Sequence, residues 1–206
     1  MNHSHPVIAA IYDRMRRSEE RGFFGSLRDE IVGLADGTVL EVGIGTGLNF
    51  SHYRQAAVQR LYAVEPDPHM RRQAERRAAK VSFPVEFMEG TAQQLPLPDH
   101  SVDTLVATLL LCSVENPEQA GREMRRVLKR EGKLLFIEHV RAAERRRAAI
   151  QDCLTPLWRR IAGNCHPNRA SVHLLARAGF DVRETRRISA GMPLDRPIVA
   201  GIAGMA

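Results

Sequence analysis

Residues 40–50 read LEVGIGTGLNF, and this stretch restricts the fold more than any other. Gly43, Gly45 and Gly47 follow a β-rich run at 38–43 and stand before an expected helix. A strand that enters a helix through alternating glycines lets backbone N–H groups approach a ligand, because no Cβ intervenes.

The remaining chain supplies the setting for such a bend. β-rich runs at 60–65, 84–89, 101–108, 132–140, 180–188 and 196–203 alternate with helical stretches. That alternation predicts an α/β sheet made of βαβ units. Asp67-Pro68 and Asn116-Pro117 read as helix N-caps with proline in the first turn. Gly132 is expected to end the helix that carries Met124, Val127 and Leu128. Val172, Leu175 and Ala176 share a face of a later helix, and Gly179 suits the left-handed position after it. Ahead of the first strand, Ile8, Ile11, Tyr12 and Met15 form one apolar stripe, and Leu27, Ile31 and Leu34 form another. We therefore expect a single domain over 1–206, with a helical lid at 1–35 and a Rossmann-like cofactor-binding core at 36–206.

Composition excludes several classes. No apolar run approaches the roughly 18–20 residues that span a bilayer, and the N-terminus lacks a basic-then-apolar signal pattern, so a cytoplasmic protein is expected. Cys112, Cys153 and Cys165 form no C-x-x-C pair, and the histidines form no H-x-x-x-H cluster, which argues against a disulfide framework, structural zinc or a catalytic metal. The net charge of +6 comes mostly from arginines at 71–80 and 141–147, which alternate with Glu75 and Glu144 and read as solvated helix faces. Aromatic residues make up only 5%, too few for a basic surface interleaved with stacking rings, so no nucleic-acid partner is expected.

The glycine spacing bears on the ligand. A pyrophosphate site favours G-x-G-x-x-G, whereas this bend is G-x-G-x-G, with Glu41 in the strand end where its charge would repel a phosphate. S-adenosylmethionine resolves that conflict, since it carries an ammonium, a sulfonium and no phosphate. Glu65 ends the second strand, where a carboxylate can accept both ribose hydroxyls.

The stretches LEVGIGTG, YAVEPD, EGTAQQLPLPDHSVDTLVATLLLCSV and EMRRVLKREGKLLFIEHV resemble the successive motifs of class I S-adenosylmethionine-dependent methyltransferases, in the branch that includes the quinone-biosynthesis C-methyltransferases. The resemblance covers about residues 36–188. It implies a seven-stranded, mostly parallel sheet of order 3-2-1-4-5-7-6 with strand seven antiparallel. It also implies Glu41, Gly43, Gly45 and Gly47 around the methionine moiety, Glu65 on the ribose, and Pro66 and Asp67 along the adenosine. Thr91 and Ala92 would meet the adenine edge, with Thr91 standing where many relatives have aspartate. Thr108 and Leu109 would pass beneath the cofactor, and Tyr12 would close over it.

Methyl transfer is an in-line displacement, so the enzyme chiefly aligns the acceptor and excludes water, and for some acceptors removes a proton. TLLLCSV after strand four is not the Asn-Pro-Pro-Tyr type of motif, which disfavours methylation of adenine or glutamine nitrogen. LLLCSV, FIEHV and QDCLTPLWRRIAGNCHPNR are similar to the thiol S-methyltransferases of animals, a branch with an N-terminal membrane anchor that has no counterpart in this sequence. That similarity implies a small, apolar acceptor, first a thiol. A phospholipid headgroup amine or a quinone carbon is the alternative, and a non-catalytic cofactor-binding regulator or a nicotinamide-dependent oxidoreductase would be a different class. His139 is expected as the base, with Cys112, Trp158 and Arg169 around the acceptor. Each also has a structural reading: His139 as an imidazole hydrogen-bonded to loop backbone, Cys112 as a buried small residue, Trp158 as a core ring and Arg169 as the partner of an acid. The basic, apolar-striped N-terminal helices would suit contact with an anionic membrane surface.

Overall fold

The computed structural model describes residues 6, 9–10, 12–14, 20–188 and 197–206. Its strands are β1 (Gly37–Val42), β2 (Val58–Val64), β3 (Val85–Met88), β4 (Val102–Thr108), β5 (Leu128–His139), β6 (Phe180–Asp181), β7 (Thr185–Ile188) and β8 (Ile198–Met205). The helices are α1 (Gly25–Ile31), α2 (Pro68–Ala78), α3 (Pro117–Val127), α4 (Arg145–Ile161) and α5 (Ser171–Arg177). Asp67 caps α2 and Asn116 caps α3 through their side chains, as their position before proline predicts.

The strands lie in the order β3-β2-β1-β4-β5-β8-β6, with β7 also paired to β8. β1 to β5 pair in parallel, and β8 runs antiparallel to β5, β6 and β7. The expected sixth strand is present as two pieces, β6 and β7, interrupted at 182–184 and both paired to β8. Counted as one strand, they restore the implied order 3-2-1-4-5-7-6. The order reverses between β1 and β4, and ligands of such sheets bind at the carboxyl ends of strands at that switch point.

Side-chain alternation buries both faces of the sheet. Leu40, Val42, Leu105, Leu134 and Phe136 pack on one side with Met124 of α3 and Leu175 of α5. Val39, Val106, Leu135 and Ile137 pack on the other with Phe24, Leu27 and Ile31. Phe24, Leu27, Ile31, Val32 and Ala35 of the expected lid region pack into this core. Ile8, Ile11 and Met15 of the first apolar stripe lie outside the described residues.

Two further expectations differ from the structure. α3 ends at Val127, and Leu128 already pairs with Val102, so Gly132 sits inside β5 rather than at a helix end. Register shifts between Val102 and Thr104, and a Cβ on Gly132 would lie 2.6 Å from Cδ1 of Leu128 and 2.9 Å from the Asp103 carbonyl oxygen. Close packing, not helix termination, requires this glycine. The glycine bend leads into a 3-10 turn at Leu48–His52 instead of a full α-helix. Among the described residues, no helix is long and apolar enough to cross a membrane.

Candidate active site

The bend after β1 contains glycines of two kinds. Gly47 has φ +80°, and a Cβ there would lie 2.7 Å from Cδ2 of Phe50 and 3.0 Å from Cα of Ala74. The fold itself requires that residue. Gly45 has φ +58°, but the nearest atom to an added Cβ is Sδ of Met70 at 4.0 Å. Open space beside Gly45 is what an approaching ligand needs. Gly43 is held more like Gly47, since a Cβ added there would lie only 2.7 Å from Cδ1 of Leu110.

Glu65 ties this bend to the end of β2. Its Oε2 accepts from the Gly45 N–H at 2.8 Å and its Oε1 from the Asp67 N–H at 2.9 Å. Each carboxylate oxygen retains a further lone pair, so acceptor capacity for a ribose remains. Burial pushes the Glu65 pKa up to about 6, against the opposing pull of these two N–H groups. Asp67 accepts from the N–H groups of His69 (2.8 Å) and Met70 (3.2 Å), which commits its side chain to capping α2, and Pro66 lies exposed beside it. Thr91 and Gln94 exchange two backbone bonds (3.3 and 3.1 Å) in a tight turn after β3, with Ala92 buried behind them.

Glu41 is enclosed in the fold. Its Oε1 accepts from Asn49 Nδ2 at 2.7 Å and its Oε2 from the Tyr53 hydroxyl at 2.7 Å. Asn49 also donates to Thr108 Oγ1 at 2.9 Å and accepts from Arg28, which pairs with Glu20 at 2.9 Å. Burial raises the Glu41 pKa to about 7, although the Tyr53 and Asn49 bonds favour its ionised form. Its contribution at the bend is thus a charge behind the loop rather than an open acceptor. Tyr12 is half-buried, and its neighbour Asp13 accepts from Thr46 Oγ1 at 2.7 Å and pairs with Arg77. The N-terminal segment is thereby seated on the bend through Asp13, a residue that sequence reasoning passed over.

The ends of β4 and β5 build the other half. Leu109 has φ +54°, a left-handed conformation that costs a non-glycine residue about 1–2 kcal/mol. Its N–H donates to the Ile137 carbonyl at 2.7 Å, and its own carbonyl accepts from Ser113 Oγ at 3.3 Å. Glu138 is buried and accepts three consecutive backbone N–H groups, those of Leu110 (2.7 Å), Leu111 (2.6 Å) and Cys112 (3.2 Å). Burial pushes its pKa well above the usual carboxylate range. Arg169 donates to the carbonyls of Leu111 and Val114, each at 2.6 Å, so it caps the loop after β4 and does not pair with an acid there. A glutamate inside the apolar run LLFIEH was the sequence signal for Glu138, because a buried charge needs partners.

His139 ends β5, and its Nδ1 lies 3.4 Å from Sγ of Cys165 and 3.7 Å from Sγ of Cys112. The two sulfurs are 3.7 Å apart and not joined by a disulfide. The hydrogen bond with Cys165 and burial together push the Cys112 thiol pKa up. Nε2 of His139 is buried and has no hydrogen-bond partner among the described residues. Reasoning from short-range spacing missed this grouping, because it joins residues 27 and 26 positions apart. Trp158 is half-buried on α4 and belongs to neither apolar core. Two surface depressions, of about 390 and 510 Å³, lie beside Val172 and His173 of α5 and beside Arg122 and Arg125 of α3, away from the glycine bend.

The model of a methyltransferase domain matches residues 40–136. The chain is 34% identical over 181 residues to the thiol S-methyltransferase TMT1B of Rattus norvegicus, covering 84% of this chain and 72% of that protein. It is 32% identical over 202 residues to the thiol S-methyltransferase TMT1A of Homo sapiens, covering 95% and 82%. Among solved structures, a methyltransferase of Thermotoga maritima, described as a possible histamine N-methyltransferase, superposes with a TM-score of 0.63 at 23% identity over 95% of this chain and 98% of that one.

Proposed function

The chain belongs to the family of S-adenosylmethionine-dependent methyltransferases, and from that premise we propose that its methyl acceptor is a small thiol. The observation that carries this reading is the identity of 32–34% to enzymes named thiol S-methyltransferases over most of the chain.

The residues at the bend fit the cofactor. Gly45 leaves open space, Glu65 keeps acceptor capacity for the ribose, and the Gly45 and Gly43 N–H groups, already donated to Glu65 and to the Val64 carbonyl, are not offered to a phosphate. When bound, S-adenosylmethionine supplies a methyl group activated by a sulfonium. The acceptor sulfur forms the new C–S bond as the carbon–sulfonium bond breaks, and the thiol proton leaves to a base or to water. A thiol of ordinary pKa, about 8.5, is only a few per cent ionised at pH 7. The site must therefore favour the thiolate, and we place His139 beside the acceptor, where its imidazole would do so either directly as a base or as one ligand of a bound cation. Glu138 and Arg169 fix the loop after β4 against which the acceptor would lie. A cytoplasmic location, where thiols stay reduced, is part of the same proposal.

The test is a panel of thiols, amines and phenols in which S-adenosylhomocysteine release and the mass of the methylated product are measured. Thiols are expected to turn over. Methylation of amines or quinols with thiols inert would overturn the assignment.

A further inference from the structure

We propose that Cys112, His139 and Cys165 bind a zinc-type divalent cation with three protein ligands and a fourth, open position directed at the acceptor. The fourth position deepens the thiol reading above and rests on it; the binding of the metal does not.

The distances carry the argument. Zinc bonds of about 2.3 Å to sulfur and about 2.0–2.1 Å to nitrogen place tetrahedral ligands about 3.8 Å apart for S···S and about 3.5 Å for S···N. The observed separations are 3.7 Å between the sulfurs, and 3.7 and 3.4 Å from the sulfurs to Nδ1. A flat three-coordinate site would need edges of about 4.0 and 3.8 Å with the same bonds. The three atoms thus lie at separations that one small metal ion could bridge with little movement, and the S···S edge is the tetrahedral one. Exposure is 0% for Cys112, 2% for His139 and 5% for Cys165, so packing already holds the ligands together.

The three ligands also come from separate elements. Cys112 is in the loop after β4, His139 is the last residue of β5, and Cys165 is in the connection from α4 to α5. A metal would join all three at the carboxyl end of the sheet, where the methyl acceptor belongs. Structural zinc sites close the sphere with four protein ligands, whereas sites with three protein ligands keep a place for water or substrate.

Charge and hydrogen bonding agree with such a site. Binding a divalent cation releases the two thiol protons, so cation and thiolates sum to zero and no net charge is buried. Ligation through Nδ1 fixes the imidazole proton on Nε2, which has no partner among the described residues. A buried N–H in that state calls for a water or for a polar atom of the acceptor. An acceptor thiol in the fourth position would bind as thiolate, its proton passing to solvent water; the site would then carry one negative charge until the sulfur takes the methyl group and leaves as a neutral thioether.

The experiment uses the full chain, purified without added metal and then titrated with Zn²⁺, with bound metal counted by mass spectrometry. About one equivalent is expected in the wild type, retained in Cys153→Ser and lost in Cys112→Ser and in Cys165→Ser. Circular dichroism would establish that the variants are folded. Should they fail to fold, Co²⁺ loading of the wild type still decides, since a tetrahedral cysteine-ligated cobalt ion has an intense visible spectrum. No uptake by the wild type, or uptake unaltered in both folded cysteine variants, would overturn the site, as would a Cys112–Cys165 disulfide formed in place of metal binding. A small thiol, added without cofactor, should shift the Co²⁺ spectrum; an unchanged spectrum would overturn the open position and leave a structural metal. Metal uptake with no thiol in the panel methylated would sink the acceptor assignment while leaving the metal site standing.

Discussion

The two ends of the site hold themselves together over different lengths of chain. At the cofactor end, Glu41 bonds to Asn49 and Tyr53, 8 and 12 residues away, and Glu65 bonds to Gly45 at a separation of 20. At the acceptor end, Glu138 reaches residues 26 to 28 positions earlier, and Arg169 reaches Leu111 across 58. The bonds of Glu41 and Glu65 thus stay within one strand–turn–strand unit, whereas those of Glu138 and Arg169 form only once β4, β5 and the α4–α5 connection have met. The pleat separates them as well: Glu41 shares a face with Val39, and Glu138 shares the opposite face with Leu134 and Phe136. One buried carboxylate satisfies side chains and the other satisfies backbone.

The largest expected effect breaks the acceptor end. Glu138→Ala leaves three buried N–H groups without an acceptor. At about 1–3 kcal/mol for each, the loss of stability in urea unfolding should reach about 3 kcal/mol or more. A loss under about 1 kcal/mol would mean that water replaces the carboxylate, and the contrast between the two ends would fail.

Next is the titration of Glu41. Its folded pKa is about 7 against 4.5 for a free side chain, so the folded state holds the proton more tightly. The stability it contributes is complete below pH 4.5 and is lost as pH rises through about 7. Glu41→Gln cannot titrate, and its amide can still accept from Asn49 and donate to Tyr53. The gap between the variant and the wild type should change by on the order of 2–3 kcal/mol across that window, in favour of the variant at high pH. Parallel melting-temperature curves against pH would rule this out.

Glu65→Ala should weaken cofactor binding by about 1–3 kcal/mol in calorimetry, through lost hydrogen bonds to a carboxylate. An unchanged Kd would remove Glu65 from the ribose. The smallest change in stability belongs to Gly45→Ala, about 1 kcal/mol for a left-handed alanine, with cofactor affinity reduced roughly tenfold, equivalent to about 1.4 kcal/mol. If the thermal loss instead exceeds the loss of affinity, Gly45 serves the fold as Gly47 does.

The same difference in chain distance explains what could be read from residues alone. The glycine spacing, Glu65 and the caps at Asp67 and Asn116 are local devices, and the structure contains each of them where spacing put it. The strand order could be anticipated from the resemblance, but the break at 182–184 could not, since β8 supports both pieces from outside that segment. Of α4 only the arginine-rich start was legible as a helix face, because exposed Ile150, Leu157 and Ile161 and internal Pro156 obscure the helical pattern beyond it. Glu41 looked like an open acid at the bend, and only packing reveals that Asn49 and Tyr53 have taken its oxygens. Cys112, His139 and Cys165 carry no spacing signal at all, because the sheet rather than the chain makes them neighbours.

Glu138 and Arg169 grip both the N–H and the C=O groups of the loop after β4. Just after α4, Asn164 Nδ2 donates to the Ser113 carbonyl of that loop at 2.7 Å, and the last turns of α4 expose Leu157 and Ile161. Exchanging residues 157–164 for those of a relative should alter which acceptors turn over and leave the Kd for the methyl donor where it was.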